Sequence, residues 1–200
     1  MKIEKVGVVG AGQMGNGIAH VCALAGYDVV MEDINADALN NAKSTIQRNL
    51  NRQATRGLIS QADADAALKR IRTTGDIALM KDRDLVIEAA TENEEVKRKI
   101  FGRLCSALKP EALLGSNTSS ISITRLASTT DRPEKFIGIH FMNPVPRMQL
   151  VELIRGIATE DATFQAAREL IAKLGKTSTV AEDFPAFIRS EEHTSELQSR

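Results

Sequence analysis

The strongest constraint on the fold is a glycine-rich segment near the start of the chain. Residues 6–9 form a short apolar run, and residues 18–25 have the pattern of a helix. Between them lie Gly10, Gly12 and Gly15, in the spacing G-x-G-x-x-G. A strand, this spacing and a helix, in that order, are typical of a dinucleotide-binding βαβ unit. An ordinary strand–turn–helix of another α/β domain is the alternative.

Each glycine of this segment has a different expected role. Gly10 permits a tight turn, Gly12 lets the backbone approach a pyrophosphate, and Gly15 allows the helix to pack closely on the strand. The first turn of the helix then presents free N–H groups to the phosphates. The predicted cofactor-binding loop therefore comprises Gly10, Ala11, Gly12, Gln13, Met14 and Gly15.

An acidic residue follows the second apolar run, about twenty residues after the glycines. This run occupies residues 27–31, and Asp33 comes shortly after it. A carboxylate at that position accepts hydrogen bonds from the ribose hydroxyls and repels a 2′-phosphate. The sequence therefore predicts NAD rather than NADP as the cofactor.

Composition and charge argue against several other classes of protein. The chain has 26 basic and 26 acidic residues, so nothing points to nucleic acid or to an anionic membrane surface as a partner. No apolar run approaches the length of a membrane span, and no spacing of His, Cys and acidic residues suggests a metal site. Because residues 1–5 lead directly into the first strand, we expect no signal peptide and a cytoplasmic location.

Strand-like runs alternate with helical patterns along the chain. Residues 36–56 form a long helical stretch that Gly57 ends, and Ser60 is the expected N-cap of a shorter helix up to residue 69. This alternation predicts an α/β fold with a Rossmann-type doubly wound sheet, parallel at its centre, and a helical insertion after the second strand. The predicted strands are residues 6–9, 27–31, 71–74, 85–90, 113–116, 136–141, 151–154 and 178–180.

Unusual polar residues are concentrated at the ends of two later strands. Ser119 follows one of them, and His140 and Asn143 lie at the end of the next, with Glu152 a short distance beyond. Ligands of open α/β sheets bind at the carboxyl ends of the strands. A histidine is the natural base for an alcohol–ketone redox reaction near neutral pH, and a carboxylate can orient it. These residues therefore indicate oxidoreductase chemistry.

The same segments resemble a known family. The motifs GAGQMG, EAATEN, SNTSS, HFMNPVP and LVELI occur in this order. They closely resemble the NAD-binding domain of the L-3-hydroxyacyl-CoA dehydrogenases, especially the bacterial members that act on 3-hydroxybutyryl-CoA. The resemblance runs from residue 6 to residue 188. It implies hydride transfer between NAD and the C3 carbinol of an (S)-3-hydroxyacyl-CoA.

The resemblance also implies roles for individual residues. His140 would be the general base, and Glu152 would orient it. Ser119 and Asn143 would position the substrate hydroxyl and the cofactor. The remaining implied contacts are those of Glu92 and Lys97 near the nicotinamide ribose and of Asp33 at the adenosine ribose.

In this family the inserted helical arm contacts coenzyme A. Asn49 and Arg56 occupy the matching positions, and Arg48 and Arg52 add positive charge that suits the phosphates of coenzyme A. The alternative is that these arginines only form a solvated helix face. The acyl-CoA substrate is thus an expectation from the resemblance.

The resemblance divides the chain into three parts. Residues 1–183 correspond to the NAD-binding domain, and residues 184–188 to the start of an all-helical domain that is otherwise missing. Residues 189–200 resemble the translation of a sequencing-library adapter, and Ser190 stands where the family has an active-site asparagine. We therefore expect a truncated chain whose full-length parent is a homodimer formed through the helical domain.

Two other functions remain as alternatives. One is a β-hydroxyacid dehydrogenase for small free acids, which would use a lysine on a helix rather than His140. The other is an NAD-binding fragment that cannot complete the catalytic cycle. Two simpler interpretations concern single positions: His20 as a partly exposed helical residue, and Ser119 and Ser120 as caps of the following helix.

Overall fold

The computed structural model describes residues 2–183, which form one sheet with helices on both faces. The strands are β1 (Lys5–Val9), β2 (Asp28–Glu32), β3 (Ile71–Thr74), β4 (Leu85–Glu88), β5 (Leu113–Ser116), β6 (Phe136–Phe141), β7 (Leu150–Arg155) and β8 (Thr177–Glu182). The α-helices are α1 (Gln13–Leu24), α2 (Ala36–Thr55), α3 (Gln61–Lys69), α4 (Glu94–Ala107), α5 (Ile123–Ala127) and α6 (Asp161–Lys173). Two short 3₁₀ helices are Ile77–Met80 and Pro133–Lys135.

The eight strands are arranged in the order β3-β2-β1-β4-β5-β6-β7-β8. Within residues 2–183, strands β1 to β6 are parallel to one another, and only the β6–β7 pair is antiparallel. The chain therefore reverses its direction of winding between β1 and β4, and ligands of such sheets bind at this switch point. The predicted doubly wound sheet, parallel at its centre, is confirmed.

Two apolar clusters hold the helices against the sheet. One face is covered by α1, α2, α3 and α6, through buried residues such as Ile18, Ile46 and Leu170. The other face is covered by α4 and α5, where the rings of Phe101 and Phe136 meet edge to face at 4.7 Å. Because central strands are buried on both faces, their side chains are apolar without alternation.

The helical insertion after β2 begins and ends as predicted. Asn35 caps α2 by accepting hydrogen bonds from the N–H groups of the first turn, and Gly57 adopts a φ of +69° just beyond its end. Ser60 and Asp63 form a reciprocal capping box at the start of α3. These caps set the path of the arm, which returns to the sheet at β3.

Both of the simpler interpretations of single positions are wrong. His20 is 1% exposed rather than partly exposed, because α2 and the chain around Lys176 pack over α1 at this point. The cap of α5 is Ser122, not Ser119 or Ser120, since the Ser122 hydroxyl accepts the hydrogen bond from Arg125 N–H.

Some predictions fall partly or wholly outside the described residues. The expected start of a helical domain at residues 184–188 and the expected adapter-derived tail at residues 189–200 lie outside them. Within residues 2–183, none of the helices combines the length and the apolar character needed to cross a membrane. In the same part of the chain, no group of His, Cys, Asp and Glu side chains could hold a metal ion.

Candidate active site

The glycine-rich loop lies at the switch point and is closely packed on two sides. Gly10 has a φ of +102°, which favours glycine, and a Cβ at this position would lie 2.7 Å from Ala89 O and Ala90 Cα. A Cβ on Gly15 would collide with the carbonyl oxygen of Gly10. At Gly12, by contrast, a Cβ would meet nothing within 4 Å. The open space in front of the backbone at Gly12 is the place where a pyrophosphate can approach.

Asp33 is directly connected to this loop. Its Oδ2 accepts a hydrogen bond from Ala11 N–H at 2.8 Å, and its Oδ1 accepts one from Asn35 N–H at 2.9 Å. Each carboxylate oxygen can accept a further hydrogen bond, so a ribose can still be bound. The carboxylate faces a cavity of about 320 Å³. Residues lining it include Gly10, Glu32, Asp33, Ile34, Ala90 and Val96.

A second cavity, of about 400 Å³, lies on the other side of the loop. Its lining runs from Gly12 along α2 to Asn49 and includes Asn143 in the loop after β6. The two cavities together form a site on both sides of the glycine-rich loop. This site suits an extended ligand that crosses the loop at Gly12.

His140 and Glu152 form a hydrogen-bonded pair at the end of β6 and line neither of these two cavities. They are directly opposite each other in the antiparallel pairing of β6 and β7, and His140 Nδ1 lies 2.8 Å from Glu152 Oε2. Both side chains are about one fifth exposed. In the described part of the chain, Nε2 has no hydrogen-bond partner, so this nitrogen can exchange a proton with a ligand. The carboxylate favours the tautomer with the proton on Nδ1 and leaves Nε2 as the acceptor.

Glu92 orders the loop that carries Ser119. Its Oε1 accepts hydrogen bonds from the N–H groups of Ser119 at 2.9 Å and Ser120 at 3.0 Å, and from the Thr118 hydroxyl at 2.5 Å. Burial alone would raise the pKa of Glu92, but the hydrogen bonds from Thr118, Ser120 and Ser119 outweigh it and lower the pKa. Glu92 is therefore a carboxylate at neutral pH, and it fixes the Ser119 hydroxyl near the ends of β4 and β5.

Lys97 is 1% exposed and points into the protein rather than into either cavity. Its Nζ donates to both carboxylate oxygens of Glu88, at 2.8 and 2.6 Å, and lies 3.9 Å from Glu92 Oε2. The structure thus places Lys97 behind Glu92. No role was predicted for Glu88 from the sequence, although a charged residue inside the apolar run LVIEAA is an unusual feature.

The loop after β6 is fixed at two points. Asn117 Oδ1 accepts a hydrogen bond from Phe141 N–H at 2.8 Å, and Lys176 Nζ donates to the carbonyl oxygens of Val145 and Met148 at 2.7 and 2.6 Å. These contacts hold Asn143 at the wall of the larger cavity. No role was predicted for Asn117 or Lys176 from the sequence, because their partners are distant in the chain.

The residues predicted on the helical arm divide into two groups. Asn49 lines the larger cavity, but Arg56 is exposed at the C-cap of α2 and lines none of the cavities described above. Arg48 and Arg52 are also exposed, and Arg48 donates to the Thr45 hydroxyl. These exposed arginines could therefore contact a negatively charged ligand only outside the larger cavity.

The fold and this site define a Rossmann-type dinucleotide-binding domain. Residues 5–184 match the protein family described as "3-hydroxyacyl-CoA dehydrogenase, NAD binding domain". The chain therefore belongs to the 3-hydroxyacyl-CoA dehydrogenase family, and residues 5–184 are its NAD-binding domain.

Individual relatives agree with this assignment. A 3-hydroxybutyryl-CoA dehydrogenase of Bradyrhizobium diazoefficiens is 63% identical over 93% of this chain and 64% of its own length. The crystal structure of (S)-3-hydroxybutyryl-CoA dehydrogenase from Ralstonia eutropha superposes with a TM-score of 0.91 at 45% identity, covering 94% of this chain and 66% of that one. The chain thus spans about two thirds of the length of these relatives.

Proposed function

We propose that this chain contains the NAD-binding and proton-transfer half of an NAD-dependent dehydrogenase. The substrate would be an (S)-3-hydroxyacyl-CoA, and the short-chain pair 3-hydroxybutyryl-CoA and acetoacetyl-CoA is our specific proposal. One observation carries the proposal: the His140–Glu152 pair lies at the carboxyl edge of the same sheet that presents the glycine-rich loop. The name of the 63% identical relative supports the choice of substrate.

The described residues fit NAD. The backbone at Gly12 faces open space, and α1 begins directly after it, so its N-terminal N–H groups can bind the pyrophosphate. Asp33 would bind the adenosine ribose, and Glu92 with Ser119 and Asn143 would bind the nicotinamide half. Lys97 would lie behind Glu92, near the nicotinamide half, because its ammonium is buried between two carboxylates.

His140 would carry the proton transfer. In the oxidation, Nε2 accepts the proton of the C3 hydroxyl while the carbinol hydrogen leaves as hydride; bound NAD supplies the hydride acceptor. The imidazole then becomes an imidazolium, which the Glu152 carboxylate stabilises at Nδ1. In the reduction, the same proton returns to the carbonyl oxygen. Ser119 and Asn143 would donate hydrogen bonds that hold this oxygen and the cofactor in place.

The larger cavity is the proposed route for the coenzyme A portion of the substrate. It leads from Gly12 to Asn49, which would bind that portion directly. Arg56 lies about two helical turns beyond Asn49, with Arg48 and Arg52 nearby, and would meet the phosphates at the mouth of this cavity. We also propose, from the family resemblance alone, that the whole protein is a homodimer formed through its helical domain.

A dehydrogenase for small free acids is less consistent with the geometry. Such an enzyme needs a lysine on a helix as its catalytic group. Two lysines of α4 lie near this site: Glu88 binds the Lys97 ammonium in the interior, and Lys99 lines the cavity at Asp33, which His140 does not line. His140 therefore remains the proposed base.

The test is NADH-dependent reduction of acetoacetyl-CoA, with NADH binding titrated in parallel. Two proteins would be compared: this chain, and residues 1–188 joined to the C-terminal third of the Bradyrhizobium relative. Binding and turnover by both would mean that the first domain is sufficient. Binding by both with turnover only in the longer protein would identify this chain as a catalytically incomplete NAD-binding fragment. Absence of NADH binding in both proteins would overturn the proposal.

Replacing Asp33 with alanine tests the ribose contact. We expect NADH to bind about tenfold more weakly, because a charge-assisted hydrogen bond to the ribose is lost. NADPH should bind more tightly than to the original chain, since the repulsion of its 2′-phosphate is removed. Fluorescence titrations with both nucleotides measure the effect. An unchanged ratio of the two affinities would contradict the proposed role of Asp33.

A further inference from the structure

Glu88 is a buried carboxylate that connects three segments of the chain beside the site. It is the last residue of β4 and is fully buried. Its Oε1 accepts hydrogen bonds from Ala90 N–H at 2.8 Å and Lys97 Nζ at 2.8 Å. Its Oε2 accepts from the Ser116 hydroxyl at 2.8 Å and again from Lys97 Nζ, at 2.6 Å. These contacts reach the turn below Gly10, helix α4 and the end of β5.

Lys97 Nζ lies between two carboxylates, much closer to that of Glu88 than to that of Glu92. Glu88 takes two of the three donors of the ammonium group, whereas Glu92 Oε2 lies 3.9 Å away, beyond hydrogen-bond range. The other oxygen of Glu92 is fully used by the loop of residues 118–120. The carboxylates of Glu88 and Glu92 thus compete for the Lys97 ammonium group, and in this structure Glu88 binds it.

We propose that Glu88 is a positioning residue that keeps Lys97 away from Glu92 and so leaves Glu92 free to order the Ser119 loop. This inference rests on the proposed function, in which that loop and Glu92 meet the nicotinamide half of NAD. Without the negative charge of Glu88, the ammonium would turn to the remaining carboxylate. It would close the distance by about 1 Å, to the length usual for such a pair. This shift would draw Glu92 away from the N–H groups of Ser119 and Ser120.

The variant Glu88→Gln removes the charge with little change in shape. Its amide oxygen can still accept the hydrogen bond from Ala90 N–H, so the support of the glycine-rich loop is retained. We expect the amides of Ser119 and Ser120 to exchange with solvent about tenfold faster, measured by NMR on the full chain. NADH should bind about tenfold more weakly, while ADP, which lacks the nicotinamide half, should bind within twofold of the original affinity.

Two further variants separate positioning from a general loss of structure. In Glu88→Gln/Lys97→Met no ammonium competes for Glu92, so the protection of the Ser119 and Ser120 amides should return towards its original value. Ser116→Ala removes one hydrogen bond to Glu88 but leaves the ion pair, so neither quantity should change more than twofold. Failure of the double variant to recover amide protection would overturn the proposal, as would equal effects of Ser116→Ala and Glu88→Gln.

The two kinds of measurement also separate this inference from the proposed function. The exchange rates of the Ser119 and Ser120 amides need no ligand, and they test the competition for Lys97 directly. If the original chain binds NADH and Glu88→Gln binds it equally well with unchanged exchange, the inference fails and the proposed function stands. If the original chain binds no NADH, the proposed function fails, and the exchange rates still decide the role of Glu88.

Discussion

Replacing His140 with glutamine should lower the rate of acetoacetyl-CoA reduction by about 10³-fold, while NADH affinity stays within twofold. Glutamine has a similar size but cannot exchange a proton near neutral pH, and general acid–base catalysis contributes about 10²- to 10⁴-fold to rates. His140 lines neither cavity beside the glycine-rich loop, so the cofactor contacts remain. Steady-state kinetics of the longer protein, with a parallel NADH titration, measure both quantities.

Glu152 provides the matched control for this experiment. Glu152→Gln removes the negative charge but keeps an oxygen that can accept the hydrogen bond from Nδ1, so we expect a smaller loss, about 100-fold. The double variant His140→Gln/Glu152→Gln should be no slower than His140→Gln alone, because the two residues act as one unit. Additive losses would show that Glu152 acts independently of His140. Near-normal turnover of the His140→Gln variant would show that His140 is not the catalytic base.

The features that were predictable from the sequence depend on local backbone requirements. The positive φ of Gly10 and Gly57 and the capping box at Ser60 are set by residues within one or two turns of each other. The parallel centre of the sheet follows from the alternation of buried strands and helices. The opposition of His140 and Glu152 was implied by the family resemblance, and the antiparallel register of β6 and β7 provides it.

The features that the sequence did not reveal depend on contacts between distant residues. The helical pattern of α4 places Lys97 on that helix, but only Glu88 on β4 determines that its ammonium faces inward. His20 is buried because the arm, more than thirty positions later, packs against α1 beside it. Asn117 likewise meets Phe141 across the sheet, at 2.8 Å. Such contacts produce no periodic pattern of apolar residues in the sequence. A charged residue within an apolar run is the main sequence feature that indicates them.

Glycine substitutions should separate the binding of the cofactor from the packing of the fold. In Gly12→Ala the new methyl group meets no protein atom within 4 Å, and φ and ψ of −66° and −168° suit alanine. The free energy of unfolding should fall by no more than about 1 kcal/mol, the cost of a poorer N-cap. The methyl group would nevertheless occupy the place of the pyrophosphate. Overpacking costs about 1–3 kcal/mol, so NADH should bind roughly 10- to 100-fold more weakly.

Gly15→Ala should affect both properties, because its methyl group would collide with the carbonyl oxygen of Gly10. Helix α1 would have to move away from β1, with an expected loss of about 1–3 kcal/mol in the free energy of unfolding and of most NADH binding. Gly102→Ala in α4 is the control: its methyl group meets nothing within 4 Å, and alanine favours a helix. Urea unfolding and NADH titration measure the three variants. If Gly12→Ala binds NADH normally, the pyrophosphate does not lie at this backbone, and the loop serves packing alone.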